Sequence, residues 1–117
     1  MAGDGRKLAI AAALSAFAFA APAKAQDPAA SLAQDLTNCA GAIAAHANID
    51  VLTYPRGASG AWADVLGGII DAMNREEGVQ GMSGRYAASA ARAYWAEQPS
   101  ATREAAANEC RARFGRG

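Results

Sequence analysis

An apolar run near the start of the chain decides which residues are left to fold. Arg6 and Lys7 precede an apolar stretch of 14 residues at positions 8–21, and Ala-Lys-Ala follows at positions 23–25. A basic start, an apolar centre and an ending of this kind are typical of a secretory signal peptide. We therefore predict cleavage after Ala25, with residues 1–25 removed and residues 26–117 left to form a single domain.

A membrane anchor is the main alternative for this run. A helix that crosses the hydrocarbon core needs about 20 apolar residues, whereas this stretch has 14 and ends at Pro22. No cysteine directly follows the predicted cleavage site, which argues against a lipid anchor there. We predict a periplasmic or secreted protein with no stable membrane insertion after cleavage. Residues 26–117 are rich in alanine and contain arginine but no lysine. This composition is typical of a bacterial genome with a high GC content, and it favours a bacterial periplasm.

The composition of residues 26–117 predicts a helical domain with a thin core. Alanine occupies 23 of these 92 positions, while Leu, Ile, Val, Met and Phe together occupy only 14. Alanine favours helices strongly, but it buries little apolar area, and stability from burial scales with area. Eight arginines against ten acidic residues leave a net charge of −2. This balance gives no electrostatic basis for binding nucleic acid.

Caps and apolar spacing predict four helices in this part of the chain. The first begins near Pro28 or Ser31 and ends at Asn48, and the second begins at or just after Ser59. Ser83 is a candidate cap for a third helix over residues 85–98, and Ser100 or Thr102 caps the fourth. Because the connections are short, we expect an all-α, small up-down bundle of about four helices.

The spacing of apolar residues predicts which side of each helix faces the core. In the first helix the inward residues are Leu32, Leu36, Cys39, Ile43 and Ala47, and in the second they are Trp62, Val65, Leu66, Ile69, Ile70 and Met73. In the third they are Tyr86, Ala90, Ala91, Tyr94 and Trp95, and in the fourth Ala106, Cys110 and Phe114. Gly67 and Gly68 interrupt the second helix, which is tolerated mainly where another backbone comes close.

The two cysteines, Cys39 and Cys110, are predicted to form one disulfide that ties the bundle. An exported chain with two cysteines favours such a bond, and a loop of this length gives about 4 kcal/mol in the chain-entropy model. The two cysteines fit a redox-active pair less well, because the C-x-x-C spacing is absent. A soft-metal site could use Cys39, Cys110 and His46 as ligands, although we expect no metal.

Four residues are candidate binding residues, and each has a plainer structural interpretation. Tyr54 and Arg56 belong to a proline-containing turn in the longest connector, where recognition loops often occur. Tyr94 and Trp95 fill the core if they face inward, but they mark a contact surface if they face outward. His46 suits the end of a helix, and the alternative is a haem ligand paired with Met73 or Met82. No haem attachment motif is present, and we expect no cofactor.

No arrangement of residues in the sequence predicts catalysis. G-x-S-x-G, P-loop and H-E-x-x-H motifs are all absent. We therefore expect a small exported protein-binding module without enzymatic activity, either an accessory subunit or an immunity-type inhibitor. Its partner is expected to be another exported or periplasmic protein.

Two other functions remain open from the sequence. A disulfide-stabilised periplasmic stress chaperone would use protonation of its ten carboxylates to loosen the bundle at low pH. A small-ligand carrier would hold its ligand between alanine-rich helices, and it predicts a sizeable internal pocket.

Overall fold

The computed structural model describes residues 28–115, and this part of the chain is an all-α bundle. Its four helices are α1 (Pro28–Ala47), α2 (Ala61–Met73), α3 (Gly81–Ala96) and α4 (Ser100–Phe114). The predicted fold class is confirmed. The predicted signal peptide at residues 1–25 lies outside the described residues.

Helix α1 ends at the residue that the sequence predicts. Asn48 has a left-handed backbone with φ 58°, and the Ile49 N–H donates a 2.9 Å hydrogen bond to the Ala44 carbonyl. This pair of features is a Schellman ending, in which the residue after the left-handed position packs its apolar side chain on the helix. Ile49 is accordingly buried, so the cap also starts the connector in the core.

Helix α3 begins earlier than predicted, which places Ser83 inside the helix and not at its cap. The preceding turn is closed by Asn74, whose side-chain Oδ1 accepts a 2.8 Å hydrogen bond from the Gly81 N–H. The Gln80 side chain donates in turn to the Asn74 carbonyl at 3.1 Å. A side chain from the end of α2 therefore supplies the hydrogen bond that a local cap would make.

Helix α1 is the centre of the bundle, because it packs against all three other helices more extensively than they pack against each other. The largest fully buried side chains come from α1, α2 and the connector between them: Leu36, Ile43, Val51, Leu66, Ile69 and Met73. Among the described residues, no polar or charged residue is buried. The predicted inward side of α2 is confirmed, with Trp62 half-buried at its edge.

The contact between α1 and α3 is made by small residues. A side chain added to Gly41 would lie 2.6 Å from the carbonyl carbon of Ala91, and Gly84 and Ala88 are buried on the same side of α3. The predicted inward positions of Tyr86, Ala90 and Tyr94 are therefore wrong, and all three residues are exposed. Helices that approach this closely leave no room for tyrosine between them, so the small residues take the inner side.

The disulfide is present and joins the middle of α1 to the end of α4. Cys39 and Cys110 have an S–S distance of 2.04 Å and a Cα–Cα distance of 5.4 Å, with both side chains buried. Because both sulfurs are in this bond, they are not available as metal ligands beside His46. No helix in the described part of the chain is long and apolar enough to cross a membrane.

Candidate functional site

The two charged side chains of α3 are directed toward α1 and the connector. Arg85 donates to the carbonyls of Val51 and Tyr54, the first at 3.1 Å. About two helical turns further along α3, Arg92 donates to the Asn48 side chain at 2.9 Å and to the Ala44 carbonyl at 3.5 Å. Arg92 thus binds the cap residue and a carbonyl in the last turn of α1, whereas Arg85 binds two carbonyls of the connector.

The opposite side of α3 carries no charge. Arg85 and Arg92 are the helix's only charged residues, and seven residues separate them, so they share one side. We call the other side the outer face of α3. It consists of seven exposed residues: Met82, Ser83, Tyr86, Ala87, Ala90, Ala93 and Tyr94.

Three large side chains are exposed on this face. Tyr86 is 62% exposed, Tyr94 is 57% exposed and Met82 is 49% exposed. Single exposed apolar residues are normal on protein surfaces, but these three lie on one uncharged side of one helix. Exposed tyrosines are also among the residues that contribute most to binding in protein interfaces. The outer face of α3 is therefore the first candidate site.

The two predicted binding residues on α3 have different positions. Tyr94 lies on the outer face, whereas Trp95 is half-buried and its indole Nε1 donates a 3.0 Å hydrogen bond to the Asn38 side chain of α1. Sequence reasoning missed Tyr86 and Met82 as surface residues. The spacing of Arg85 and Arg92 was the signal that could have identified them, because it leaves the other side of α3 without charge.

The other two predicted binding residues belong to the connector and are held differently. The Tyr54 hydroxyl donates a 2.8 Å hydrogen bond to the Ala63 carbonyl in the first turns of α2. Burial of its ring raises the pKa of Tyr54 above the usual 10.0, with a further increase from Asp64 and Asp71. Arg56 is exposed on the turn. Tyr54 thus anchors the connector, and Arg56 is presented to solvent.

An open groove of about 590 Å³ lies along the outer side of α2. The groove is lined by Tyr54, Asp64, Val65, Gly67, Gly68, Asp71, Ala72, Arg75, Phe114 and Gly115. The carboxylates of Asp64 and Asp71 accept no hydrogen bond and form no ion pair among the described residues. The groove therefore contains two carboxylates without hydrogen-bonded partners, together with the Arg75 guanidinium and two aromatic side chains.

The two glycines in the groove have different surroundings. A side chain at Gly67 would collide with the Tyr54 hydroxyl, so this position must remain small. A side chain at Gly68 would meet nothing within 4 Å. The expected approach of another backbone is therefore wrong for both positions. Nothing in the described structure requires glycine at position 68.

His46 has a packing contact rather than a ligand set. Its ring lies 5.0 Å from that of Trp62 in an edge-to-face arrangement, and the Arg111 guanidinium lies 4.6 Å from the centre of the Trp62 ring. Within residues 28–115, no group of three or more His, Cys, Asp or Glu side chains is placed to hold a metal ion. These contacts support the plainer interpretation of His46 at a helix end.

Comparisons with known proteins do not assign the chain to a family. No family model, curated protein or solved structure matches it.

Proposed function

We propose that this chain is a small exported protein-binding module without catalysis, and that the outer face of α3 is its binding surface. The observation that carries the proposal is the separation of charge on α3. Both arginines bind the bundle, while two tyrosines and a methionine remain exposed on the other side. A helix that only needed to be soluble would place charged residues outward.

The chemistry of the outer face of α3 indicates the kind of partner surface that suits it. It offers aromatic and small apolar side chains and no charge, so it suits an uncharged helix or strand face on another exported protein. Tyr86 and Tyr94 provide rigid, amphipathic contact area, and the alanines between them allow a partner's backbone to come close. An accessory subunit and an immunity-type inhibitor both fit this description.

Export is part of the proposal, in a periplasmic or secreted location. The disulfide between Cys39 and Cys110 supports an oxidising compartment, and the predicted signal peptide supports the same location. The disulfide also suits a small domain that needs stabilisation beyond its core.

A pull-down with matched variants tests the proposal. The tagged chain is incubated with a periplasmic extract, beside a Tyr86→Ser/Tyr94→Ser variant and a Leu52→Ser control, since Leu52 is also exposed but lies in the connector. We expect a protein captured by the wild type and the control, with capture reduced at least tenfold in the double variant. Equal capture by all three, or capture by none, would contradict the proposal.

The small-ligand carrier is a second candidate, and Gly68 favours it. Glycine costs about 1 kcal/mol relative to alanine inside a helix, and its use where no neighbour requires it suits a site that a ligand approaches closely. The unpaired carboxylates of Asp64 and Asp71 would favour an organic cation, with Tyr54 and Phe114 beside it. The site is an open groove, unlike the internal pocket that the sequence predicts for a carrier.

Titration with N-acetyl-arginine amide, followed by the NMR signals of the Gly67 and Gly68 amides, tests the carrier. Saturable shifts that disappear in Asp64→Asn/Asp71→Asn, and that the uncharged citrulline amide does not produce, would support it. Shifts of equal size with the citrulline amide would exclude recognition of the cation. For the chaperone alternative, the corresponding measurement is suppression of client aggregation at about pH 3.

A further inference from the structure

The outer face of α3 has a pattern that is complementary to itself. Tyr86, Ala90 and Tyr94 are spaced by four residues, so they form one ridge along the helix. Ala90 is the midpoint, with a tyrosine about 6 Å away along the axis on each side. If two copies of α3 meet in antiparallel orientation at Ala90, each Tyr86 lies opposite the other copy's Tyr94.

The charges on and near this face are compatible with such a pairing. The outer face itself has none, so two copies bring no like charges together. The nearest charge on this side of the helix is Glu97, the residue at the C-cap. In the antiparallel pairing it lies opposite Ser83 of the other copy, and the two Glu97 side chains are about 21 Å apart along the axis. A two-fold contact therefore brings no like charges of α3 close together.

The area of the face is sufficient for a weak dimer. A tyrosine side chain offers about 200 Å², and Tyr86 and Tyr94 are 62% and 57% exposed. With Met82 and the small residues included, each copy exposes about 500 Å² on this face, so a contact that covered all of it would bury about 1,000 Å², the lower limit for a specific interface. A dimer of this size is expected to dissociate in the micromolar range.

We infer that a second copy of this chain occupies the outer face of α3, in a two-fold antiparallel contact centred on Ala90. This inference rests on the proposed function, because it takes the same face as the binding surface and names its occupant. The contact is isologous, so it closes on itself and yields a dimer with no open-ended assembly. A different exported protein would have to compete with the second copy for the same tyrosines.

Crosslinking through an added cysteine tests the two-fold axis directly. In an Ala90→Cys variant the two added thiols lie at the two-fold axis, so position 90 is the position on this ridge nearest to its counterpart in the other copy. In the control Ala87→Cys, on the same face, the thiols are about 9 Å apart along the axis. We expect an intermolecular disulfide in the first variant and at least tenfold less in the second. The native cysteines are buried, so they are not expected to exchange.

The oligomeric state of the full chain provides the second measurement. Sedimentation equilibrium is expected to show a reversible dimer with a micromolar dissociation constant, weakened at least tenfold in Tyr86→Ser/Tyr94→Ser and unchanged in Leu52→Ser. A monomer at 1 mM, or equal crosslinking of Ala87→Cys and Ala90→Cys, would overturn the inference. The proposed function would survive that result if the tyrosine variant still lost a captured partner. Failure of the proposed function can thus be distinguished from failure of the contact between two copies.

Discussion

Gly41 of α1 and Ala91 of α3 meet at a distance that excludes any side chain at position 41. A Cβ built on Gly41 would lie 2.6 Å from the Ala91 carbonyl carbon and 2.6 Å from the Arg92 nitrogen. Both of these atoms belong to the backbone, so rotation of a side chain cannot relieve the contact. Helices α1 and α3 can therefore approach this closely only because residue 41 has no side chain.

Replacing Gly41 with alanine is expected to destabilise the fold. Alanine improves the helix by about 1 kcal/mol, but forcing the two backbones apart in a packed region costs more, and we expect a net loss of about 1–3 kcal/mol. Urea unfolding followed by circular dichroism measures the change. Adding Ala91→Gly should recover only part of the loss, because the backbone contacts remain. A more stable Gly41→Ala variant would show that the helices are not in close contact.

Gly67 and Gly68 provide an adjacent pair with opposite expected effects. Gly68→Ala meets nothing within 4 Å and should stabilise the helix by about 1 kcal/mol. Gly67→Ala collides with the Tyr54 hydroxyl and should destabilise the fold by displacing its hydrogen bond to Ala63. The free energies of unfolding of the two variants should therefore change in opposite directions.

Tyr54→Phe should partly rescue Gly67→Ala, since the ring carbon that remains would lie 3.5 Å from the new methyl group, an ordinary contact. A double-mutant cycle should give a coupling of about 0.5–3 kcal/mol between positions 54 and 67. Additive effects of the two substitutions would mean that the hydroxyl does not occupy this space.

The disulfide is expected to contribute a large part of the stability. Cys39 and Cys110 are separated by 71 residues, and closing a loop of this length is worth about 4 kcal/mol in the chain-entropy model. A Cys39→Ala/Cys110→Ala variant should therefore show a much lower midpoint of thermal unfolding. Dithiothreitol should lower the midpoint of the wild type to a similar degree and leave the variant unchanged. Equal midpoints for wild type and variant would contradict this.

The sequence predicted the elements whose large apolar residues recur at helical spacing. Helix α2 is the clearest case, because Leu66, Ile69 and Met73 leave only one side that can face a core. The end of α1 was also predictable, since Asn48 is one of the few residues that accept a left-handed backbone. Cys39 and Cys110 form the disulfide that the sequence predicts.

Helix α3 could not be oriented by the same reasoning. Its two tyrosines, Tyr86 and Tyr94, were assigned to the core by size, whereas close packing at Gly41 favours small residues inside. The contacts that fix its rotation are hydrogen bonds from Arg85 and Arg92 to groups 31 to 48 residues away. Pairings at this sequence distance leave no local pattern. Tyr94 could be predicted as a binding residue, but the structure was needed to place it on one face with Tyr86 and Met82.

Stability at alkaline pH should depend on Tyr54. Burial, followed by the negative charges of Asp64 and Asp71, raises its pKa above 10.0, while Arg85 opposes the increase. A pKa raised in the folded state means that folding favours the neutral phenol, which also donates to the Ala63 carbonyl. This contribution is complete below pH 10 and is lost as the pH rises through the folded-state pKa.

Urea unfolding of wild type and Tyr54→Phe between pH 8 and about pH 11 measures this dependence. The wild type should lose more stability than the variant above pH 10, so that the difference between them narrows. Tyr86→Phe is the matched control, because the Tyr86 hydroxyl makes no hydrogen bond among the described residues. Its pH profile should follow that of the wild type. Parallel profiles for wild type and Tyr54→Phe would mean that folding does not depend on the neutral phenol at position 54.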